Sequence, residues 1–203
     1  MAGAIEICNL ALSRLGADLI RSFDEPNKRA RLCDITYKHV RDLFLEDHEW
    51  TFNTKFAALP LLANVTHPSF SYVYQLPYDC LYPRQLVDEL GVISSKVKWS
   101  VFEDHLATNA ENAWLRYSFV VEESNKFPMY FVEAIAAQMA AEMCPAIVQD
   151  KKRYSELLPI AELQLARARE KDSEIGVEYR HRDVDFNNDT WIMPEGGSDG
   201  TTV

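Results

Sequence analysis

Glycine and long apolar runs are scarce in this sequence of 203 residues. Only 7 residues are glycine, and the sequence lacks a Gly-rich phosphate loop, a Gly-x-Ser-x-Gly elbow and a His-Glu-x-x-His metal motif. No apolar run approaches the roughly 20 residues that a transmembrane helix needs. These absences argue against an enzyme of a familiar class and against an integral membrane protein.

Positive charge is also in short supply. The chain has 21 lysines and arginines against 31 aspartates and glutamates, which gives a formal net charge of -10. Such a surface repels DNA, because DNA binding depends on Lys and Arg side chains that release phosphate counterions. We therefore expect no direct recognition of nucleic acid. The first residues are amphipathic and include an early glutamate, unlike a signal peptide, so we expect the protein to be made in a cytoplasm.

The cysteines and histidines do not follow a disulfide or metal-binding pattern. Cys8, Cys33, Cys80 and Cys144 lie far apart with no Cys-x-x-Cys, and the first two fall on apolar helical faces, where a thiol acts as a small hydrophobic group. The stretch 47–49, Asp-His-Glu, could offer metal ligands, but adjacent side chains point in different directions. We expect no metal site, no cofactor and no catalytic residue.

Two helical patterns precede residue 50. In each of them, apolar residues recur at alternating spacings of three and four. The first predicts a helix over 3–15, and Gly16 fits the position after its end, where a left-handed backbone is needed. In the second helix, Asp24 can act as the N-cap and Pro26 can occupy the first turn. This helix is expected to end near 47–49 and to pack antiparallel to the first.

Two further helical patterns follow residue 123. Asn125 can cap the third helix, Pro128 lies in its first turn, and Pro145 is expected to end it. Asp150 can cap the fourth helix, and Pro159 should bend it because proline removes one backbone hydrogen bond. The third helix is rich in alanine, which lets neighbouring helices approach closely.

The segment between these helix pairs has the period of β-structure. Residues 50–53, 71–76 and 84–90 are rich in strand-forming side chains, and 97–101 and 115–121 alternate between apolar and polar positions. These patterns predict a small, mainly antiparallel sheet of four or five strands.

Together the patterns predict an α+β fold that is mainly α. We expect an antiparallel four-helix bundle, made of two N-terminal and two C-terminal helices, with an inserted small antiparallel β-sheet and an extended C-terminal tail. The bundle would comprise 1–49 and 124–173, the β-rich insertion 50–123, and the tail 174–203.

Two stretches are candidates for contacts with other proteins. The tail is polar except for an apolar island that cannot bury itself alone, and a tryptophan in such a place suits an interface. The candidate docking residues are Val184, Phe186, Trp191, Ile192, Met193 and Pro194. The candidate subunit-interface residues lie on the third helix and are Ala134, Ala137, Gln138 and Ala141. A buried catalytic acid at Gln138 or Glu142 is the alternative on this helix, and interhelical hydrogen bonding or partial exposure of these side chains is the favoured interpretation.

Several short motifs follow one another in a recognisable order. They are Ala11-Leu12-Ser13-Arg14-Leu15-Gly16, Asp24-Glu25, His48-Glu49-Trp50-Thr51-Phe52-Asn53, Tyr74-Gln75-Leu76-Pro77-Tyr78-Asp79-Cys80-Leu81, and the alanine-rich helix over 131–141. In this order and spacing the chain resembles the tail tubular protein A family, the head-to-tail adaptors of short-tailed bacteriophages. The motifs cover most of 4–172, and the segment from 174 onward does not contribute.

The resemblance implies a structural virion protein and not an enzyme. Members of the family form a ring of twelve copies beneath the portal, at the head–tail junction of the virion, after assembly in the host cytoplasm. The ring joins the portal to the tail nozzle, tail tubular protein B, and DNA passes through its bore during ejection without specific binding. By analogy, the bundle would contact neighbouring subunits, the sheet would face the nozzle and the tail would reach the portal.

Two other functions remain open at this point. One is a dimeric cytosolic protein-binding module with no phage role, in which Trp191 contacts a partner. The other is a small hydrolase whose site is too irregular to recognise. Symmetry separates the adaptor from the module, because an adaptor must close a cyclic ring and a binding module need not.

Overall fold

The computed structural model describes the backbone of residues 3–87 and 97–186, and their side chains up to residue 175. The helices in these ranges are α1 (Ala4–Arg14), α2 (Lys28–Asp47), α3 (Met129–Ile147) and α4 (Lys151–Phe186). The strands are β1 (Thr54–Ala58), β2 (Tyr72–Gln75), β3 (Cys80–Val87), β4 (Trp99–Phe102), β5 (His105–Thr108) and β6 (Trp114–Phe119). None of the described helices combines the length and apolarity that crossing a membrane requires.

Both ends of α1 have clear local causes. The backbone N–H of Gly3 donates to the carboxylate of Glu6 at 2.8 Å, which ties down the start of the helix. Gly16 has a φ of +68°, the left-handed conformation that ends a helix at little cost for glycine. The predicted end of this helix is confirmed.

The N-cap of α2 is Asn27, so the prediction of Asp24 is wrong. The side chain of Asn27 accepts the backbone N–H of Ala30 at 2.8 Å. Asp24 lies in the preceding turn, where its backbone N–H donates to the hydroxyl of Ser22. The carboxylate of Glu25 holds that same turn through the N–H of Ser22, which leaves Asn27 as the first residue free to cap. The end of α2 at Asp47 agrees with the prediction.

The stretch 50–53 is not a strand. Thr51–Asn53 forms a short 3-10 helix, and β1 begins only at Thr54. Two side chains fold this stretch back onto the end of α2. The indole N–H of Trp50 donates to the carbonyl of Phe44 at 2.6 Å, and the amide of Asn53 donates to the carbonyl of Leu45 at 3.0 Å. These side-chain hydrogen bonds override the strand preference of the local sequence.

The strands form two antiparallel sheets of three strands each, in the orders β1-β6-β3 and β2-β5-β4. The sequence predicted one sheet of four or five strands, whereas the structure has six strands in two sheets. The sequence missed β1 and also β5, which is only four residues long and follows a tight turn at Glu103, whose φ is +52°. A shared core joins the two sheets. Its buried residues are Leu59, Tyr74, Leu86, Leu106, Ala113, Leu115 and Tyr117.

The prediction of a four-helix bundle with a small insert is wrong. α1, α2 and α4 each pack against α3, whereas α1 and α2 make little contact with each other. In α3, 11 of 19 residues are buried, so this helix is enclosed by the other three. Its alanines carry too little side-chain volume to keep neighbours away, which allows three helices to approach one. With two sheets beside it, the fold is a mixed α+β fold with a central helix.

The alanines predicted to form a subunit interface lie inside the chain. Ala134, Ala137 and Ala141 are buried, and the last two share a core cluster with Leu157 and Ala161 of α4. They therefore serve contacts between helices of one chain. Among the four candidates only Gln138 is partly exposed. Its amide donates to the carboxylate of Glu142 at 2.8 Å, a hydrogen bond between successive turns of one helix and not between helices.

The fourth helix starts where predicted and runs further than predicted. The carboxylate of Asp150 accepts the backbone N–H of Lys152 at 2.8 Å, which confirms it as the cap. α4 continues to Phe186, so the expectation of extended chain is wrong for 174–186. That segment has one glycine and no proline, so nothing in it stops a helix. Pro145 does not end α3 either, since the helix reaches Ile147.

Three earlier expectations are not decided by these elements. The predicted docking residues 191–194 lie outside the described residues. Val184 and Phe186 lie on the backbone of α4, and their side chains are outside the described part. The division into 1–49 with 124–173, 50–123 and 174–203 stays a prediction.

Candidate functional site

A buried carboxylate joins α4 to two other parts of the chain. Asp172 is 1% exposed, and it is the only buried acidic residue among the described side chains. It accepts the backbone N–H of Thr51 at 2.9 Å, the hydroxyl of Thr51 at 2.8 Å and the hydroxyl of Tyr130 at 2.7 Å. Thr51 begins the short 3-10 helix and Tyr130 lies in the first turn of α3. We name Asp172, Thr51 and Tyr130, together with His48, the Asp172 junction.

His48 completes this junction without a hydrogen bond to Asp172. Its Nε2 lies 3.8 Å from Oδ2 of Asp172, which is beyond hydrogen-bond distance. Burial lowers the pKa of His48, and the nearby charge of Asp172 only partly opposes this, so the imidazole is neutral at pH 7. Burial and the hydrogen bond to Asp172 both raise the pKa of Tyr130. A neutral histidine and a protonated tyrosine around one carboxylate make a structural contact.

The junction rests on a cluster of aromatic rings. Trp50 is fully buried, and its ring lies 4.8 Å from that of Phe131 and 4.6 Å from the imidazole of His48, both edge-on. Phe52 lies 4.9 Å from Phe131 in the same arrangement. Each such pair contributes about 0.5–1.5 kcal/mol beyond its buried area. The motif over 48–53 is therefore a joint between the helices and the first sheet.

A long part of α4 lies beyond this junction. Asp172 binds Tyr130, the second residue of α3, so α4 has passed the full length of α3 by this point. Fourteen residues of α4 follow Asp172, and at 1.5 Å per residue they extend about 21 Å past the start of α3. We call residues 173–186 the α4 arm. The junction holds α4 at the point where the helix continues past the start of α3.

A second polar contact holds the motif over 74–81. The carboxylate of Asp79 accepts from Nζ of Lys55 at 2.7 Å and from the hydroxyl of Tyr117 at 3.0 Å. Burial would raise the pKa of Asp79, but these two hydrogen bonds outweigh it and hold the pKa below its usual value. The contact ties the turn before β3 to β1 and β6. Sequence reasoning missed it because β1 itself was missed.

Next to this contact, Tyr78 is fully exposed. It stands between two open surface clefts of about 520 and 610 Å³. The first is lined by Lys55 and Phe119 among others, and the second by Leu81 and Val101. A bare tyrosine between mixed apolar and charged clefts suits a protein contact. The sequence signal for it was the Pro-Tyr-Asp stretch of the motif over 74–81, which served only for the resemblance.

Among the side chains that the structure describes, the possible metal ligands do not form a centre with a protein ligand set of its own. The stretch 47–49 disperses: Asp47 pairs with Arg169, His48 faces Asp172, and Glu49 pairs with Arg116. Elsewhere, Glu103, Asp104 and His105 bring one ligand atom each within 4.8 Å of one another. These three are consecutive residues at a turn, and the carboxylate of Asp104 is already engaged by the amide of Gln75 at 2.8 Å.

Comparison of the sequence with known proteins adds no support to the resemblance to the tail tubular protein A family, which rests on the sequence motifs alone. No protein-family model matches the chain, and no curated protein matches it. The function is therefore argued from the residues that carry the motifs and from the contacts that those residues make.

Proposed function

We propose that the chain is a head-to-tail adaptor of a short-tailed bacteriophage, a structural protein of the virion. Copies of it would form a ring, of twelve subunits by analogy, between the portal and the tail nozzle. The observation that carries this proposal is the order of motifs over 11–16, 24–25, 48–53, 74–81 and 131–141, which resembles the tail tubular protein A family.

The roles of these motifs support a structural function. The residues over 48–53 make the aromatic joint and the Asp172 junction, and Asp79 in the motif over 74–81 ties the two edge strands of one sheet to its centre. The motif over 131–141 is the helix that three others enclose. The stretches that resemble the family are therefore the ones that hold the parts of one subunit together. We expect this pattern where the members share a structural role and not a catalytic reaction.

The α4 arm supports a docking role for the end of the chain. A helix held at Asp172 and extending about 21 Å further presents whatever follows it at a defined distance from the body. The candidate docking residues are Val184 and Phe186 at the end of the arm and Trp191, Ile192, Met193 and Pro194 after it. We propose that these residues bind the portal, with Trp191 as the main anchor. A tryptophan that becomes buried as a hot spot of an interface contributes about 2 kcal/mol or more to binding.

The acidic balance is compatible with a DNA conduit. A net charge of -10 per copy offers few cations to phosphates, so a bore made of such subunits would not retain DNA as it passes. We propose that DNA passes through the ring without specific binding, and that the sheets lie on the side of the nozzle.

Truncation tests the docking role. Deleting 184–203 should abolish attachment to portal-bearing heads, because the proposed anchors are lost. The same deletion should leave the melting temperature nearly unchanged, since the described core ends at Asp172. Deleting only 195–203, which are Gly, Ser, Thr and other polar residues for the most part, is the matched control and should retain attachment. Full docking by the longer deletion would refute the proposal, as would unfolding of that variant.

A further inference from the structure

Two buried cysteines lie side by side where α1 meets α2. Cys8 and Cys33 belong to the same core cluster, and neither is exposed to solvent. Sγ of Cys8 lies 4.0 Å from the carbonyl oxygen of Cys33, and the two thiols also share a hydrogen bond. The two residues are 25 positions apart in the sequence, so no spacing rule for cysteines predicts their contact. The fold therefore creates a pair of thiols that the sequence pattern does not show.

The hydrogen bond makes the two thiols different in acidity. The Cys8 thiol donates to the sulfur of Cys33, which lowers the pKa of Cys33 although burial opposes this shift. The same hydrogen bond, together with burial, raises the pKa of Cys8. The thiolate is the nucleophilic form of cysteine, so Cys33 is suited to attack first and Cys8 to react with the product.

The surroundings of the pair allow the two sulfurs to approach each other. Sδ of Met143 lies 3.9 Å from Sγ of Cys33, so a third sulfur borders the pair. A disulfide requires a distance of about 2.05 Å between its sulfurs, which displaces both thiols from their present positions. The thioether of methionine is flexible and adapts to such a displacement. Because α1 packs mainly on α3, a bond from Cys8 to Cys33 would tie α1 directly to α2.

We propose that Cys8 and Cys33 are a redox pair that closes to a disulfide in the folded chain when it meets a hydroperoxide. The thiolate of Cys33 attacks one oxygen of the O–O bond, which gives a sulfenic acid and hydroxide, and the hydroxide takes up the proton that Cys33 has lost. The sulfur of Cys8 then attacks the sulfenic sulfur, and the proton of Cys8 leaves with the hydroxyl group as water. In total, two thiols and hydrogen peroxide give one disulfide and two molecules of water.

Burial determines how fast this reaction proceeds. An oxidant reaches the pair only when α1 opens locally, so oxidation should be slow compared with that of an exposed thiol. For its biological setting the inference rests on the proposed adaptor function. A virion protein is made in a reducing cytoplasm and passes to oxidising surroundings when the particle is released. The disulfide would then fix α1 to α2 after assembly.

The purified full chain with Cys80→Ser tests the inference, because Cys80 is the one native thiol that is partly exposed. The protein is incubated with hydrogen peroxide and then unfolded in the presence of a maleimide, which caps free thiols. Mass spectrometry counts the capped thiols, and peptide mapping locates any disulfide. Cys8→Ala and Cys144→Ala in the same background are a matched pair of variants. Each removes one buried cysteine, and Cys144 lies in a different core cluster.

The expected result is a loss of two of the three thiols and a peptide that joins Cys8 to Cys33. Cys144→Ala should form the same linked peptide, whereas Cys8→Ala should form no intrachain disulfide. The bond closes a loop between residues 25 positions apart, so it should raise the melting temperature by about 5 °C or more until dithiothreitol reduces it.

Three outcomes would overturn the inference. They are the absence of the linked peptide, a disulfide through Cys144, and a melting temperature that is unchanged or lower after oxidation. The experiment uses the purified chain, so its outcome does not depend on the adaptor function. A chain that is absent from the head–tail junction would refute the adaptor function and leave the disulfide standing.

Discussion

The Asp172 junction makes a quantitative prediction about stability. Replacing Asp172 with alanine removes the acceptor of three hydrogen bonds, from the backbone N–H and hydroxyl of Thr51 and from the hydroxyl of Tyr130. Hydrogen bonds to a charged group contribute about 1.5–3 kcal/mol each, so their loss alone would cost about 5–9 kcal/mol. Removing the carboxylate also relieves its desolvation, which is worth several kcal/mol in a buried site. We therefore expect a net loss of about 2–4 kcal/mol in the free energy of unfolding.

Urea denaturation followed by circular dichroism measures this loss. Glu170→Ala is the matched control, since it removes an exposed carboxylate two residues earlier on the same helix and should change stability by less than about 0.5 kcal/mol. A double-mutant cycle with Tyr130→Phe should show a coupling of about 1 kcal/mol or more, because both changes remove one shared hydrogen bond. Equal effects of the Asp172 and Glu170 substitutions would refute the view that Asp172 fixes the arm to the body.

Three further predictions concern charge and pH. Burial lowers the pKa of His48, so folding favours the neutral imidazole. The protein should therefore lose stability as the pH falls below about 6.5. In urea titrations, His48→Gln should remove that part of the pH dependence. The hydrogen bonds to Asp79 lower its pKa, so Asp79→Asn should lower the free energy of unfolding by about 1–2 kcal/mol at pH 7. The difference in stability between the two proteins should disappear as the pH falls below about 4. Equal stability of the two proteins at pH 7 would contradict this prediction. Each copy has a net charge of -10, and at low salt the repulsion between copies acts beyond about 10 Å. The free protein should therefore sediment as a monomer or a weak oligomer at low salt. A tight ring under those conditions would show the charge argument to be wrong.

Local patterns predicted the helices well because their signals are local. The apolar spacing in α2 and α3, the cap at Asp150 and the glycine at position 16 each act within a turn or two of chain. The arrangement of those helices was not predictable in the same way. An alanine-rich helix suits both a subunit interface and an enclosed helix. Only the packing of Ala137 and Ala141 against α4 decided in favour of the second.

The candidate site was harder to predict because its contacts span the chain. Asp172 meets Thr51 across 121 residues of sequence and Tyr130 across 42, and no spacing rule connects them. The stretch 50–53 was misassigned for a different reason: the hydrogen bonds of Trp50 and Asn53 to the end of α2 join residues only 6 and 8 positions apart, but they are made by side chains and follow no helix or strand period. The arm was missed because a charged segment such as 174–186 can be either an extended tail or a solvated helix.

The most direct test of the adaptor function is electron microscopy of virions that contain this chain. Class averages of the head–tail junction, with the chain located by an antibody or a fused tag, give its position and its symmetry together. We expect a cyclic ring, of twelve copies by analogy, between the portal and the nozzle, with the end of α4 directed at the portal. A label found elsewhere in the particle, or twofold symmetry as the only order of the assembled chain, would contradict the account.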